Sequence, residues 1–588
     1  MNTFKSNNGV SARVYQGDAM SLLAFDLDES LLKPGFVGFS IECKPPRGSS
    51  YFLLNLLNFE GKSDVFTPSD KAPFQKFRWL HVPGNIHQPL NDTAYGDYLY
   101  TITPRYWEGD ALAPLDPALS VEVGMTIKPF EDNRLEIAFA RGFMTSQAYT
   151  RRFGDNSRLK PDNSDLVFDT SLASGTAPDG KQYTYEDQYL WMGFTARAKT
   201  LALLQEVLDD TSLTIDVFAY DFNEPKIAAM LLELASKGRV RMILDNARLH
   251  TEPGKGEAIT PEDRFDQLFN ERKQGASALF RGKFKRYAHD KVIIVKKDGK
   301  PVKALTGSTN FSITGFCVNA NHVIIINNAE AAKLYENVFE ESWGPEKMKV
   351  FSRNALAGKI HKLTSGGLPS LKISFAPHPE TVAADILDSI AKRIAGKTGA
   401  KSSALFSVMS LDKKAGGPVY PALRDIQNNE KIFSYGITDQ TDAVALYKPG
   451  SRRGILVNAK QLTKALPEPF KKEISTSFHN IHHKFVVIDF NTDNALVVCG
   501  SSNLALGGEE SNGDNLLMIR DKEIATVFAI EALRLVDHYH FRANSASAKT
   551  KKQPIKLWKN SKWAAEYYDK TDIHYLDRKL FCKAAKGS

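Results

Sequence analysis

Cysteine is scarce in this chain: Cys43, Cys317, Cys499 and Cys582 stand far apart in 588 residues, with no C-x-x-C pair. That spacing excludes a zinc ribbon and a disulfide framework, and Cys317 and Cys499 read as small apolar fillers. Long apolar runs are also lacking. No stretch approaches the roughly 18–20 residues a membrane helix needs, and the opening MNTFKSNNGVSARVYQGD has no hydrophobic signal core. A soluble, cytoplasmic protein without a transmembrane segment is expected, export by a signal-independent route being the alternative. GKFKRYAHDK lacks phosphate-loop spacing, and no His, Asp and Glu cluster has metal-ligand spacing. Neither a metal nor another cofactor is expected.

What is present is an ordinary globular composition, 42% apolar and 24% charged, which argues against wholesale disorder. The length calls for three or four modules. The net charge of +8 is concentrated at one end, because residues 541–588 hold twelve Lys and Arg against four Asp and Glu. Within that end, AKTKKQPIKLWKNSKW sets Trp558 and Trp563 among lysines. Such a segment suits peripheral contact with an anionic surface, or a solvated tail that packs its tryptophans on the last domain.

Along the chain, residues 1–128 read as an all-β sandwich of alternating strands such as YGDYLYTITPRYW, broken by Pro, Gly and Asp clusters. The Tyr98, Tyr100 and Ile102 ladder followed by Pro104 resembles the penultimate strand of fibronectin type III domains. From about residue 129 the texture changes. LTIDVFAYDF (strand), EPKIAAMLLELASKG (helix) and RVRMILDN (strand) form a βαβ unit. VAADILDSIAKRIAG, SSALFSVMS, YPALRDIQNN and KIFSYGIT repeat that alternation later. The boundaries expected are 129–355 for a first α/β half, 356–545 for a second and 546–588 for the basic tail. The helix KEIATVFAIEALRLVDHYHFR closes the second half, with His538 and His540 read as structural.

Two strands open alike. In SFHNIHHKFVVIDF, His482 and Lys484 point to one face and His483 to the other. Upstream, YAHDKVIIVKK repeats the pattern with His289 and Lys291, 193 residues earlier. Each is followed by a Gly-Ser-x-Asn stretch, GSTN (Gly307 to Asn310) and GSSN (Gly500 to Asn503). This is a diverged internal duplication. Face to face, two lysines and two asparagines supply convergent donors for a phosphate, and two imidazoles flank it. One imidazole can attack phosphorus while the other protonates the leaving oxygen and then activates water.

Both copies resemble the H-x-K…G-S-x-N signature of the phospholipase D superfamily, over roughly residues 190–545. The resemblance implies two pseudo-twofold-related α/β/α halves sharing one active site, preceded by the sandwich, in a single-chain and so monomeric site. His289, Lys291 and Asn310 would form one half-site and His482, Lys484 and Asn503 the other, with His289 as nucleophile and His482 as general acid and base. Eleven residues beyond each asparagine stand Asn321 and Asp514, where the family places the group that holds the histidine's far nitrogen. Taken within each copy, this puts an amide behind His289 and an acid behind His482, making His482 the more basic. The same asymmetry is similar to the tyrosyl-DNA phosphodiesterase branch. Ser308 and Ser501 join the orienting set. The signature's aspartate is Asp489 in the second copy but Lys296 in the first, with Asp298 two places late.

Arg281, Lys283, Lys285 and Arg286 lead to His289 and either rim the cleft or form a basic surface loop. His479 and His483 read as packing or hydrogen-bonding residues. The substrate expected is a glycerophospholipid, cleaved to phosphatidic acid and headgroup. A nuclease or DNA-end phosphodiesterase comes second, a cardiolipin synthase-like transferase third, and a scaffold that binds through sandwich and tail is the non-enzyme alternative.

Overall fold

The computed structural model describes residues 2–582 apart from 63–65, 85–93, 133, 143–146, 155–157, 253–258, 365, 398, 400, 412–415, 441–444, 460–479 and 551–555. It leaves out the side chains of 147, 440 and 540–550. His479 therefore lies outside the described residues, as does the side chain of His540.

Alternating strands dominate the N-terminal segment. Asn2–Asn7, Val10–Gln16, Ser21–Leu27 and Arg78–His81 form one antiparallel sheet. A second holds Phe36–Lys44, Tyr51–Phe52, Gly96–Glu108, Ala111–Leu112 and Val121–Ile127. Val10, Ala12 and Val14 of the first sheet share a core with Phe36, Phe39 and Ile41 of the second. Tyr98, Tyr100 and Ile102 all point into it, as the period-2 ladder requires.

The remainder is mixed α/β. Its first sheet runs in the order Leu135–Phe139, His322–Ile326, Lys300–Gly307, Val292–Lys297, Leu213–Ala219, Val240–Asp245, Ala278–Gly282, the last three strands parallel. The second runs His361–Leu363, Ser370–Ala376, Asp514–Arg520, Leu496–Gly500, Lys484–Ile488, Ser403–Ser410, Phe433–Gln440, Ile455–Asn458. Here too the last three strands are parallel. In each sheet the strand that follows the H-x-K histidine is central.

Both faces of these strands are apolar because both are covered. Ile293 and Val295 pack toward the helices Tyr185–Asp209, Pro225–Ser236 and Pro261–Arg272. Val292 and Ile294 turn the other way, into one core with Phe485 and Val487 of the second sheet and the helices Ala329–Ser342 and Lys522–Thr550.

The C-terminal segment is built into the fold. Trp563 packs on Phe36 and Phe77 and donates its indole N–H to the Phe36 carbonyl at 3.2 Å. The helix Ile573–Cys582 places Phe581 against Tyr15, Phe433 and Phe490. This corrects the tail reading: Trp563 goes into the first domain's core, and Trp558 stays half-exposed.

Candidate functional site

Glycine begins each G-S-x-N stretch for a steric reason. Gly307 and Gly500 have φ of 142° and 138°, and a Cβ on either would lie 2.3 Å from a carbonyl oxygen, that of His322 or of Asn515. Those carbonyls belong to the residues just after Asn321 and Asp514. The close approach seats Ser308 beside Asn321, to whose Oδ1 its hydroxyl donates at 2.8 Å. Ser501 bonds Asp514 likewise.

The histidines are then held across the sheets. The backbone N–H of Ala320 donates to the Asn480 carbonyl at 2.8 Å, and that of His482 to the Ala320 carbonyl at 3.1 Å. In the other copy, the N–H of Gly513 donates to the Tyr287 carbonyl at 2.8 Å. Each H-x-K segment is thus fastened to the opposite copy's orienting segment. His289 Nδ1 meets Asp514 Oδ1 at 2.7 Å, and His482 Nδ1 meets Asn321 Oδ1 at 2.9 Å. The within-copy pairing expected from residue counting is therefore corrected: the acid stands behind His289 and the amide behind His482. The spacing of eleven locates both groups, while the partner comes from the other half of the chain.

Asn321 Nδ2 donates to the Gly315 carbonyl at 2.8 Å, which fixes Oδ1 as the atom facing His482. Nδ1 of each imidazole then carries hydrogen. His289 and His482 are 6% and 8% exposed. Burial, aided by Lys291, pulls His289 down to about 4 against the opposing pull of Asp514. Burial raises the Asp514 carboxyl, yet His289 and Lys291 outweigh it and hold the acid below its ordinary value.

Lys291 and Lys484 donate to the backbone carbonyls of His289 and His482, the second at 2.7 Å. Burial lowers Lys291 to about 8, and burial with Lys291 nearby lowers Lys484 strongly. Asn310 sits 3.4 Å from Asp221, and among the described residues the Oδ1 atoms of Asn310 and Asn503 have no partner. Lys291, Lys484 and Asp514 all act on the charge of His289, so residues of both copies are neighbours there. Arg281 does not join them: it turns inward to Asp263 and to the carbonyls of Asp245 and His250. Lys283 and Lys285 are exposed, and Arg286 donates to Asn512 Oδ1 at 2.7 Å. Asp489 pairs with Lys397 at the far end of its strand, and Lys296 with Asp216 at 2.6 Å.

Sequence reasoning overlooked several positioning residues. Asp245 accepts the Ala288 N–H at 2.6 Å, and Asp439 those of Asn480 and Ile481 at 2.8 and 3.1 Å. Each stands at or beside the end of a parallel strand, 43 and 41 residues before the residue it holds, in RVRMILDN and KIFSYGITD, so the repeat itself carried the signal. Tyr220 lies edge-on to His289 at 4.8 Å, with Lys291 Nζ 5.0 Å over its ring. His483 is buried, with Nδ1 3.2 Å from His322 Nδ1 and Nε2 3.2 Å from Glu531. The matching position in the first copy is Asp290, which accepts from Asn515 Nδ2 at 2.8 Å. Among the described residues, no group of three or more His, Cys, Asp and Glu could hold a metal ion.

Comparison with known proteins locates the same region. A family model described as "Cardiolipin synthase, PLD-like domain" matches residues 204–343 and 427–535. A phospholipase D of Rickettsia bellii is 28% identical over 143 residues, 24% of this chain, and the match spans 63% of that relative's length. Among solved structures, a polyphosphate kinase of Porphyromonas gingivalis aligns at 13% identity over 60% of this chain and 53% of its own, TM-score 0.38. A phosphatidylserine synthase of Haemophilus influenzae aligns at 12% identity over 62% and 86%, TM-score 0.36.

Proposed function

Since this chain belongs to the phospholipase D superfamily, we propose that its two α/β sheets are pseudo-twofold halves, 129–355 and 356–545, sharing one phosphodiesterase site. Residues 1–128 are read as a fibronectin type III-like sandwich appended to them. The reaction proposed runs through a phosphohistidine. His289 Nε2 attacks phosphorus, a P–N bond forms, the P–O bond to the leaving group breaks, and His482 delivers the Nε2 proton to that oxygen. Water then attacks phosphorus, gives its proton to His482 Nε2, and releases His289.

The observation that carries this reading is the crossed pairing. A carboxylate behind His289 stabilises the positive charge its imidazole acquires on phosphorylation. A neutral amide behind His482 orients the ring without strengthening its hold on the proton it must release. Lys291, Lys484, Asn310 and Asn503 supply the donors that offset phosphoryl charge, so no step needs a metal.

A glycerophospholipid is the substrate supported by the likeness to the cardiolipin synthase family and to the Rickettsia phospholipase D. A nucleic-acid strand or DNA end is the second reading, favoured by exposed Lys283 and Lys285 close before His289. Transfer to an alcohol would use the same intermediate with the alcohol in place of water. The test incubates purified protein with EDTA and labelled phosphatidylcholine, or labelled single- and double-stranded DNA. Headgroup release supports the first reading and strand loss the second. Biological effects that survive intact in both His289→Ala and His482→Ala would leave only the scaffold.

A further inference from the structure

A cavity of about 910 Å³ lies apart from the six side chains of the proposed site, between the N-terminal sheets and the helix Tyr185–Asp209. Its most unusual wall is Arg141. That residue is 6% exposed, and among the described residues its buried Nε has no hydrogen-bond partner. Instead it lies 4.2 Å over the Phe194 ring and 5.0 Å over that of Trp191. Arg534 and Arg152, both of its own sign, disfavour its charge, and Tyr95 favours it. Arginine does not escape such a position by deprotonating, so a bound anion would be stabilised there.

Backbone strain supplies a second sign. Phe194 has φ 45° and ψ −135° inside a helix, a conformation that non-glycine residues adopt at a price in stability. The break lays the Phe194 ring along the cavity wall beside Trp191, with Tyr95 45% exposed at the same cavity. Cations interleaved with accessible rings are the combination that holds a phosphate and stacks a flat base. A lipid headgroup would use the cation and leave the rings idle.

The cavity also adjoins the proposed centre. The Ala140 N–H donates to the Asn321 carbonyl at 2.9 Å, and Asn321 orients His482. Arg534 donates to the Arg141 carbonyl at 3.4 Å and pairs with Glu531, which faces His483.

We propose that this cavity is a nucleotide-unit site, in which Arg141 and Arg152 take the phosphate and Trp191, Phe194 and Tyr95 take the base. The inference goes beyond the phosphodiesterase reading and does not require it.

The test is calorimetric titration of the full chain with 5′-AMP, inorganic phosphate and short-chain phosphatidic acid. The expected result is 5′-AMP binding in the native protein and equally in His289→Ala and His482→Ala. Arg141→Gln should lose about tenfold or more in affinity without a lower Tm, because the variant removes an unpaired buried charge. A structural arginine would instead cost stability when replaced. Should Arg141→Gln fail to fold, Arg152→Gln decides: severalfold weaker 5′-AMP binding supports the site, and unchanged binding overturns it. Inorganic phosphate binding as tightly as 5′-AMP in the part of the signal lost in Arg141→Gln would overturn the role of the rings. Phosphatidic acid binding with 5′-AMP silent, or 5′-AMP affinity unaltered in folded Arg141→Gln, would overturn the proposal altogether. Because the histidine variants retain the cavity, these results stand whether or not phosphodiesterase activity is found.

Discussion

Lys291 and Lys484 compete for charge. Burial lowers Lys291 to about 8, while burial and the neighbouring Lys291 hold Lys484 well below the ordinary ammonium value. A phosphate entering the cleft favours both charged forms, so its binding draws protons from solvent. Tungstate titrated into the protein near pH 8 is therefore expected to give heats that depend on the buffer's ionisation enthalpy. Identical heats in phosphate-free buffers of high and low ionisation enthalpy would defeat this. The kcat/KM profile should also fall above about pH 8, as the empty cleft loses the Lys291 proton. His289 works in the opposite pH range. Its folded value of about 4 lies below the ordinary 6.5, so between these values the unfolded chain binds more protons. Stability contributed by neutral His289 is then present above 6.5 and lost as pH falls toward 4. His289→Gln should flatten the Tm decline across that window. The crossed pairs give a sharper chemical test. Asp514→Asn is expected to cost about a hundredfold or more in kcat by removing the carboxylate behind the nucleophile. Asn321→Asp should move the limb assigned to His482 to higher pH, because a carboxylate favours its imidazolium. Were the pairs formed within each copy, the two phenotypes would exchange places.

The strand that opens with histidine and the loop that opens with glycine work as a pair, one set in each sheet. Gly500→Ala drives a methyl group into the Asn515 carbonyl and demands φ 138° of a residue that resists it. The expected cost is about 1–3 kcal/mol or more, with activity lost as Ser501 and Asn503 shift. Urea unfolding and turnover check this together, and a variant native in both would contradict the steric account. Much of this element pairing was legible in the sequence, because a side-chain period of two and a repeated H-x-K survive divergence. The exchange of Asp514 and Asn321 between halves was not. Counting along the chain measures distance to the next glycine loop, whereas the contact is made by the bridges from Ala320 to Ile481 and from Tyr287 to Asn512. Asp245 and Asp439 were equally hidden, since a lone aspartate ending a strand looks like an ordinary turn residue until its N–H partners are seen. Arg281 misled for the converse reason: a basic run suggests a rim, and only the fold reveals that one member is turned onto Asp263.

For the molecule as a whole, the C-terminal segment joins the N-terminal sheets to the second α/β sheet. Arg78 of the N-terminal sheets donates to both oxygens of Asp577 at 2.9 Å and to Asp537, midway along the helix Lys522–Thr550. Arg578 returns to Asp26 and lies 3.8 Å over the Tyr568 ring. Phe581 fills the gap among Tyr15, Phe433 and Phe490. A segment so placed acts through packing before it can act through charge. Phe581→Ala is expected to cost about 3–5 kcal/mol by leaving a cavity where three elements meet. Arg78→Met should cost a similar amount, about 3–5 kcal/mol, because it takes the cation from the buried Asp577 and the part-buried Asp537. Deleting residues 556–588 should then reduce Tm and substrate binding together, and by the same factor at low and high salt. A tail that merely attracts phosphates would behave otherwise: counterion screening would erase the deletion's effect at high salt while Tm stayed unchanged. Measuring Tm and affinity for the truncated chain across a salt series separates these cases, and a salt-sensitive loss at constant Tm would refute the clamp.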